Sequence, residues 1–380
     1  IEESVMSGNK RVATVEFIKK INRSLVLDMI KECQPVSRAQ IARELSLSKT
    51  TVSLIVEDLL KKSMIIDLGE CTAGKGAGRP AWMLGFNPDS AYGIGVSIAR
   101  SETLLVITNL LGSCVFKTTF PSTNQLSALI ERIQHGISES GLADQTISGL
   151  GISVPGTVTR EGIVLHSGTL NWHHYNAGSV LQSQFPYPVF LGNDANCAAL
   201  GERWLGAGKG TDDMLFLSIG NGVGGAVICN GKVVDGSHSL SGEICYQIGT
   251  DDIRQKRFNV LGETGVFEQK VSAHTLSKTF GSCQALFDAY CAGDILARET
   301  VSQFVLELSV VLANFIGLLN PERVILGGPV IEAMSGVIQE IRDTAFSLSP
   351  MHAEISLATL GKYASAYGAI ADVFERVEQG

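Results

Sequence analysis

Residues 92–109 read YGIGVSIARSETLLVITN, and this stretch indicates how the larger part of the chain folds. Two apolar runs, 93–98 and 104–109, flank the polar turn Arg100-Ser101-Glu102-Thr103, which is the pattern of a β-hairpin. A glycine-containing hairpin at the start of a large domain is one way in which enzymes bind ATP phosphates and Mg²⁺. Because Mg²⁺ is usually bound through a carboxylate, and neither predicted strand carries one, that use is in question here.

Strand-like and helix-like runs alternate after this hairpin. A helical pattern covers residues 126–138, and apolar strands that lead into glycine turns follow near 150, 190, 216 and 325. This alternation predicts two α/β lobes. The final segment, about 363–378, predicts an amphipathic closing helix that packs back on the first lobe.

Size and composition restrict the class of protein. The chain has 380 residues, 45% of them apolar and 18% charged, so we expect two or three globular domains. No apolar run approaches the ~20 residues of a membrane helix, and the N-terminus lacks the apolar core of a signal peptide. The eight cysteines are dispersed, which is typical of reduced thiols. We therefore expect a cytoplasmic protein without membrane association.

The charge is unevenly distributed along the chain. The net charge is −8, but residues 1–80 carry 13 Lys and Arg against 10 Asp and Glu. A mildly basic segment ahead of an acidic body allows nucleic-acid binding by that segment, without requiring it.

Residues 23–62 predict three short helices in this basic segment. The first covers about 24–32 and ends before Pro35; the second follows the N-cap candidate Ser37, and the third follows Ser48. Apolar residues recur at helical spacing in the second and third helices. A short helix, a tight turn and a helix that opens with small polar and basic residues predict a helix-turn-helix, whose last helix enters the DNA major groove.

A wing follows the third helix. Strand-like runs at 64–68 and 80–86 bracket a loop rich in glycine and lysine, which predicts a hairpin whose tip reaches the minor groove. We expect these side chains to contact phosphates and base edges of double-stranded operator DNA: Ser37, Arg38, Ser48, Lys49, Thr50, Thr51, Ser53, Lys75 and Arg79.

A series of motifs along the body carries a resemblance to a known family. In order, they read GISVPGTV (151–158), NDANCAALGE (193–202), LSIGNGVGGAVICNGK (217–232), SGEICY (241–246), NPERVILGG (320–328) and YGAI (367–370). The chain resembles the ROK family (repressors, open reading frames and sugar kinases), and in particular its winged-helix repressors such as the xylose repressors. The resemblance covers the chain from about residue 12.

The resemblance implies an architecture and a sugar site. It implies a winged helix-turn-helix domain at 1–86 and two actin-like, ribonuclease H-like α/β lobes at 87–195 and 196–380, with a sugar cleft between the lobes. The residues at the family's sugar-binding positions are Gly156, Asn193, Asp194, Glu243, Tyr246 and Glu268. Carboxylates and amides suit this role, because each makes paired, directional hydrogen bonds to adjacent hydroxyls. From the residues alone, Asn193-Asp194 is also a helix N-cap, and one turn can both cap and bind. For Glu243 and Glu268 taken alone, a solvated surface carboxylate is the commoner outcome.

One departure from the family concerns metal binding. The family's zinc motif has the form C-x-C-G-x-x-G-C-x-E with a nearby histidine, whereas residues 259–268 read NVLGETGVFE. Asn259, Leu261 and Val266 stand at the cysteine positions, and Tyr246 stands at the histidine position. Because leucine and valine cannot ligate zinc, we expect no metal here and apolar contacts that brace the turn instead.

The other departure concerns the opening hairpin. In the family's kinases this hairpin carries D-x-G-G-T, which organises Mg²⁺ and ATP phosphate. Ser97 stands at the aspartate position, and Ala99-Arg100 replaces the glycine pair. We therefore expect neither Mg²⁺ nor ATP as a cofactor and interpret the hairpin as retained scaffold.

The sequence favours a sugar-responsive transcriptional repressor that binds DNA as a homodimer or homotetramer and is not an enzyme. One alternative is an ATP-dependent sugar kinase with an attached DNA-binding domain, in which Asp194 is the general base. A second alternative is a repressor controlled by a protein partner. Xylose is suggested by analogy alone, and the residues do not identify the sugar or the direction of its effect on DNA binding.

Overall fold

The computed structural model describes residues 2–71 and 81–379, and the side chains of residues 18–70 and 82–378. The chain forms two compact units, which are described separately. The first comprises residues 1–91 with 109–111, and the second comprises 92–108 with 112–380.

The first unit has three helices and a three-stranded sheet in the order β1-β3-β2. Its elements are α1 (Glu2–Cys33), β1 (Val36–Ser37), α2 (Arg38–Glu44), α3 (Lys49–Lys61), β2 (Ile65–Cys71) and β3 (Ala81–Phe86). The second and third helices and the two wing strands lie where the sequence predicts them. The first helix begins at Glu2, well before the predicted position 24.

Side-chain caps determine where α2 and α3 begin. Ser37 Oγ accepts the amide of Gln40, whose side chain accepts the amide of Ser37 in return, and Ser48 Oγ accepts the amide of Thr51 at 3.0 Å. Between the helices, Ser46 has a positive φ of 53°. The inner faces pack into one core with the wing: Val26, Ile30, Ile41, Val52, Val56, Leu59 and Leu84 are all buried.

The second unit begins with a five-stranded sheet in the order β11-β7-β4-β5-β6, with β7 parallel to both of its neighbours. A small sheet of β8, β9 and β10 projects from it. The elements of this lobe are β4 (Tyr92–Ile98), β5 (Glu102–Asn109), β6 (Cys114–Pro121), α4 (Leu126–Ser140), β7 (Ile147–Val154), β8 (Thr157–Val158), β9 (Val164–Ser167), β10 (Trp172–Tyr175), α5 (Ala177–Gln182) and β11 (Val189–Asn193).

A second lobe is built on another five-stranded sheet, in the order β14-β13-β12-β15-β16. Its elements are α6 (Asp194–Leu205), β12 (Met214–Ile219), β13 (Val223–Cys229), β14 (Lys232–Val233), α7 (Thr250–Arg254), α8 (Glu268–Val271), α9 (Ala273–Ser277), α10 (Cys283–Ala292), α11 (Ile295–Leu319), β15 (Arg323–Gly327), α12 (Pro329–Ala333), α13 (Ile338–Leu348), β16 (Glu354–Leu357) and α14 (Ala364–Gln379).

The closing helix α14 returns to the first lobe. Ala366 and Ile370 are buried beside Val106 of β5, and Ile370 packs against Gly93 of β4. The same helix crosses α6 so closely that a Cβ on Gly368 would overlap the carbonyl oxygen of Cys197. α14 therefore connects the two lobes of this unit at the start of α6.

The helix α11 is the one described helix that is long and apolar enough to cross a membrane by length and composition. From the sequence we expected no apolar stretch of this length. Half of its most apolar window is buried, with Val301, Leu308 and Leu312 in the core of the second lobe. Core packing accounts for the buried half of this helix, while Leu306, Val310 and Leu318 are exposed.

The opening hairpin differs from the prediction at its turn. β5 begins at Glu102, so one carboxylate does lie on a strand. Glu102 Oε1 accepts a hydrogen bond from Lys362 Nζ at 3.0 Å, which assigns this carboxylate to an ion pair.

Candidate functional site

The junction of β11 and α6 orients the first two predicted sugar ligands. Asn193 Oδ1 accepts the amide of Asn196 at 3.0 Å and caps α6, while Asn193 Nδ2 donates to the carbonyl of Gly156 at 2.9 Å. Asp194 is the first residue of α6, and its Oδ1 accepts the amide of Ala195. These hydrogen bonds hold both side chains in place at this turn.

All six predicted sugar-binding residues line one cavity of about 920 Å³ between the two lobes of the second unit. Gly156 contributes backbone at the wall. Its φ is +132°, and a Cβ there would overlap the carbonyl oxygen of His166. Only glycine allows the chain to pass this close to the small sheet.

Burial affects the three predicted carboxylates in the same direction. Desolvation raises the pKa of Asp194 to about 6, and the neighbouring charge of Glu243 adds to this shift. Desolvation also raises the pKa of Glu243 and of Glu268 above their usual values. Glu268 Oε2 accepts the amide of Val223 at 3.0 Å, which ties this carboxylate to the glycine loop at 220–225. Clustered acceptors of this kind suit a neutral ligand rich in hydroxyl donors.

The segment at the family's zinc position is held by hydrogen bonds. Asn259 Nδ2 donates to the carbonyl of Tyr246 at 2.6 Å, and Asn259 Oδ1 accepts the amide of Val266 at 2.8 Å. Tyr246 Oη accepts the amide of Gly262 at 2.9 Å. The expectation of an apolar brace is correct for Val266, which is 1% exposed, and wrong for Leu261, which is 72% exposed. Polar side chains bridge this turn because its backbone amides need partners.

The opening hairpin forms another part of the cavity wall. Ser97 is buried and lies opposite Ser153 on the neighbouring strand, whereas Ala99 and Arg100 line the cavity. The backbone of Gly220, Asn221 and Gly222 lines it as well. Arg100 thus brings a positive charge to the cavity that the glycine loop also lines.

Several cavity residues were missed by the sequence reasoning: Thr157, Leu165, His166, His173, His174, Leu240 and Glu263. The adjacent His173 and His174 in the run WHHY were a visible signal, because imidazole is a frequent functional side chain. Their contact with the cavity depends on the small sheet of β8–β10, which the periodicity did not predict.

In the first unit, the predicted DNA-binding residues separate into two groups. Ser48, Lys49 and Thr50 are exposed at the start of α3. Arg38, the first residue of α2, and Thr51 and Ser53 of α3 are half-buried. Ser48, Lys49 and Thr50 thus lie where the exposed N-terminal turn of a recognition helix is expected.

Ser37 and the wing tip fall outside that group. The Ser37 side chain is 7% exposed and is used in the capping box, so the prediction that it contacts phosphate is wrong. Its burial follows from the pairing of β1 with β3, which covers this residue. Lys75 and Arg79 lie outside the described residues.

Comparison with known proteins places these observations in a family. The ROK family model matches residues 93–375. The xylose repressor of Bacillus subtilis (strain 168) is 28% identical over 373 residues, covering 94% of this chain and 96% of that protein. A glucokinase of Halalkalibacterium halodurans is 29% identical over 310 residues, 72% of this chain and 92% of that protein.

A solved structure extends the comparison to the N-terminal unit. The crystal structure of a ROK family transcriptional regulator, described as a homologue of the E. coli MLC protein, has a TM-score of 0.79 and 23% identity, covering 96% of this chain and 100% of that one. At this identity the match shows the fold alone. Since the family model spans most of the chain, and the cavity residues lie on the elements that carry the family's motifs, this chain belongs to the ROK family.

Proposed function

We propose that the chain is a sugar-responsive transcriptional repressor of the cytoplasm. The observation that carries this proposal is the presence, in one chain, of a helix-turn-helix with exposed Lys49 and a cavity lined by Asn193, Asp194, Glu243 and Glu268. Relatives named xylose repressor align over nearly the whole chain and support the proposal. A homodimer or homotetramer would present two heads to a symmetric operator.

The head is proposed to bind DNA through the first turn of α3. Replacing Lys49 with alanine removes a charge at the exposed N-terminal end of that helix. We expect weaker operator binding at every sequence, and a salt dependence whose slope falls by about one unit, because one fewer phosphate is neutralised. Fluorescence anisotropy over a range of salt concentrations measures both quantities.

The matched control for this prediction is Lys61→Ala, at the opposite end of α3. It removes the same charge from the same helix and should leave affinity close to that of the wild type. Equal losses in both variants would indicate a general charge effect and would contradict the proposed groove-facing end.

The cavity is proposed to bind a sugar effector through Asp194. A thermal-shift screen of free and phosphorylated hexoses, pentoses and amino sugars, each with and without Mg-ATP, identifies the effector class. A ligand present at about a hundred times its Kd adds ~2.7 kcal/mol of stability, which is a shift of a few degrees. We expect one sugar class to shift the wild type, regardless of Mg-ATP, and Asp194→Asn to lose the shift.

The control for that substitution is Asp251→Asn, because the Asp251 side chain is 76% exposed on α7. It should keep the wild-type response. If no sugar shifts the wild type, a protein partner becomes the favoured controller. If Asp194→Asn responds like the wild type, the effector binds elsewhere.

Sugar affinity is expected to depend on pH through Asp194. With its pKa raised to about 6, this carboxyl is largely an ionised acceptor at pH 7 and largely protonated at pH 5. If sugar binds the ionised form, affinity should fall about tenfold from pH 7 to pH 5. Calorimetric titration across this range measures the change, and a flat profile in the wild type would contradict the assignment.

The stability of the free protein is also expected to depend on pH through Asp194. The folded-state pKa of Asp194 lies above its ordinary value of 3.8, so the folded state binds more protons between about pH 4 and pH 6. The contribution of Asp194 to stability therefore decreases as the pH rises through that window and stays constant above it. Asp194→Asn should remove this contribution.

We further propose that the cavity lacks kinase activity and that its wall needs neither zinc nor Mg-ATP. Three observations support this: Ser97 at the position of the kinase aspartate, hydrogen bonds of Asn259 across the turn, and the exposure of Leu261. A coupled assay with Mg-ATP and the identified sugar should release no ADP above background. Steady ADP release that Asp194→Asn abolishes would instead support the kinase alternative.

A further inference from the structure

Two histidine rings meet at the rim of the sugar cavity. His166 on β9 and His173 on β10 are direct cross-strand partners, and both line the cavity. Their Nδ1 atoms are 3.2 Å apart, with the ring centroids 4.9 Å apart and the ring planes inclined at 53°. The two nitrogens share a hydrogen bond when one ring carries its proton on Nδ1, and they offer two neighbouring lone pairs to the cavity when both rings carry the proton on Nε2.

The hairpin that carries these rings is anchored on both strands. Ser167, next to His166, donates its hydroxyl to the carbonyl of Pro155 at 2.5 Å and accepts the amide of Leu170 at 3.3 Å. Trp172, next to His173, is buried and donates its indole N–H to the carbonyl of Asn124 at 2.9 Å. Because both neighbours are fixed, the spacing of the histidines is a property of the folded hairpin.

That spacing matches bidentate coordination of a metal ion. Imidazole nitrogens ligate divalent transition metals at about 2.0–2.1 Å, so a separation of 3.2 Å subtends an angle of about 100° at the ion, between square and tetrahedral values. We propose that His166 and His173 form a two-histidine site for a divalent transition metal ion such as Ni²⁺, Zn²⁺ or Cu²⁺, all of which favour imidazole.

The surroundings define what kind of site this is. Within residues 2–71 and 81–379, no three His, Cys, Asp or Glu side chains are grouped to hold a metal ion. Because both histidines line the cavity, water or a ligand hydroxyl would complete the coordination of a bound ion. The site is separate from the turn at 246–268, where the family's zinc motif would lie. It stands next to Gly156, whose Cα approaches the backbone of His166.

Titration calorimetry of the full-length, untagged protein with NiCl₂ tests the proposal. Nickel is the preferred probe, because the exposed thiols of Cys33, Cys114, Cys229 and Cys291 would compete for zinc. We expect one saturable site in the wild type that EDTA reverses. His166→Ala and His173→Ala should each weaken it at least tenfold, because each removes one of two protein ligands.

Two control variants locate the site. His174→Ala removes the adjacent histidine, which lines the same cavity but lies outside the cross-strand pair, and should bind nickel like the wild type. Asp194→Asn removes a cavity carboxylate and should also bind nickel normally. A circular dichroism spectrum of each variant, together with its thermal unfolding curve, checks that the variant is folded.

Three results would overturn the proposal. The first is nickel binding to the wild type that does not saturate. The second is a nickel affinity of His166→Ala equal to that of the wild type. The third is a loss of nickel affinity in Asp194→Asn that exceeds the loss in His173→Ala. The last result would assign the metal to the carboxylates. None of these outcomes depends on the sugar response, so the site can fail or stand independently of the proposed repressor function.

Discussion

The variant Gly368→Ala is expected to lose at least about 3 kcal/mol of stability, or to fail to accumulate as folded protein. Gly368 lies where α14 crosses α6, and a Cβ there would overlap the carbonyl oxygen of Cys197 and approach the amide of Gly201 at 2.7 Å. Both neighbours are backbone atoms inside a helix, so they cannot move aside as a flexible side chain would. Urea unfolding followed by circular dichroism measures the loss.

Gly317→Ala provides the matched control for this prediction. Gly317 lies within α11, and a Cβ there would meet only the Met351 methyl group at 3.7 Å, an ordinary van der Waals distance. Alanine costs less conformational entropy than glycine in a helix, so this variant should gain about 0.5–1 kcal/mol. If Gly368→Ala were as stable as the wild type, the close helix crossing described here would be wrong.

The crossing also has a functional consequence. Ser365 of α14 donates its hydroxyl to the carbonyl of Asp194 at 3.0 Å, at the first turn of α6. If some of the Gly368→Ala protein still folds, α14 and α6 must be displaced from each other. That protein should therefore lose the sugar-induced thermal shift as well as stability. The distance between the two helices thus helps to position the proposed effector ligand.

The variant Glu202→Ala is expected to cost about 3 kcal/mol or more. The Glu202 side chain is completely buried. Its carboxylate accepts the amides of Ala207, Thr359 and Leu360 at 2.8, 2.9 and 2.8 Å, as well as the Thr359 hydroxyl at 3.2 Å. Alanine would leave several buried donors without an acceptor, and each such donor costs about 1–3 kcal/mol. Thermal and urea unfolding give the size of the effect.

Glu202→Gln separates shape from hydrogen bonding at this site. Glutamine fills the same space and keeps one acceptor oxygen for the amides of Thr359 and Leu360, but its NH₂ group would face the amide of Ala207. We expect an intermediate loss. Equal stability of Glu202→Ala and Glu202→Gln would show that volume, and not the missing acceptor, determines the cost.

The local features of this protein were predictable from its sequence. The N-cap serines, the helical spacing of Val52, Val56 and Leu59, and the run of apolar strands that end in glycine turns each depend on residues a few positions apart. The same is true of the Asn193-Asp194 turn, whose capping role and position at a strand end are both visible in the local pattern. The order of the motifs was sufficient to identify the family, and that resemblance indicated the six residues that line the cavity.

Two predictions were wrong because contacts made elsewhere in the fold determined the position of the side chain. Ser37 was predicted to face DNA, but β3 covers it from nearly fifty residues away, and the capping box then uses its hydroxyl. Leu261 was predicted to pack, but the hydrogen bonds of Asn259 already close that turn and leave Leu261 exposed. The pairing with β3 has no signature in the residues near Ser37, although its role as an N-cap was predicted.

The helix-turn-helix and the two α/β lobes could be predicted from the sequence, because caps, periodicity and turns act over a few residues, and the family resemblance supplied the residues of the cavity. Three features are visible only in the folded chain: Glu202 satisfies amides 157 and 158 residues away, Gly368 has no room for a side chain, and His166 and His173 meet at the cavity wall. The first two features arise from the packing of segments that are distant in the chain, where burial and hydrogen-bond satisfaction outweigh local preference, and the third arises from the pairing of β9 with β10.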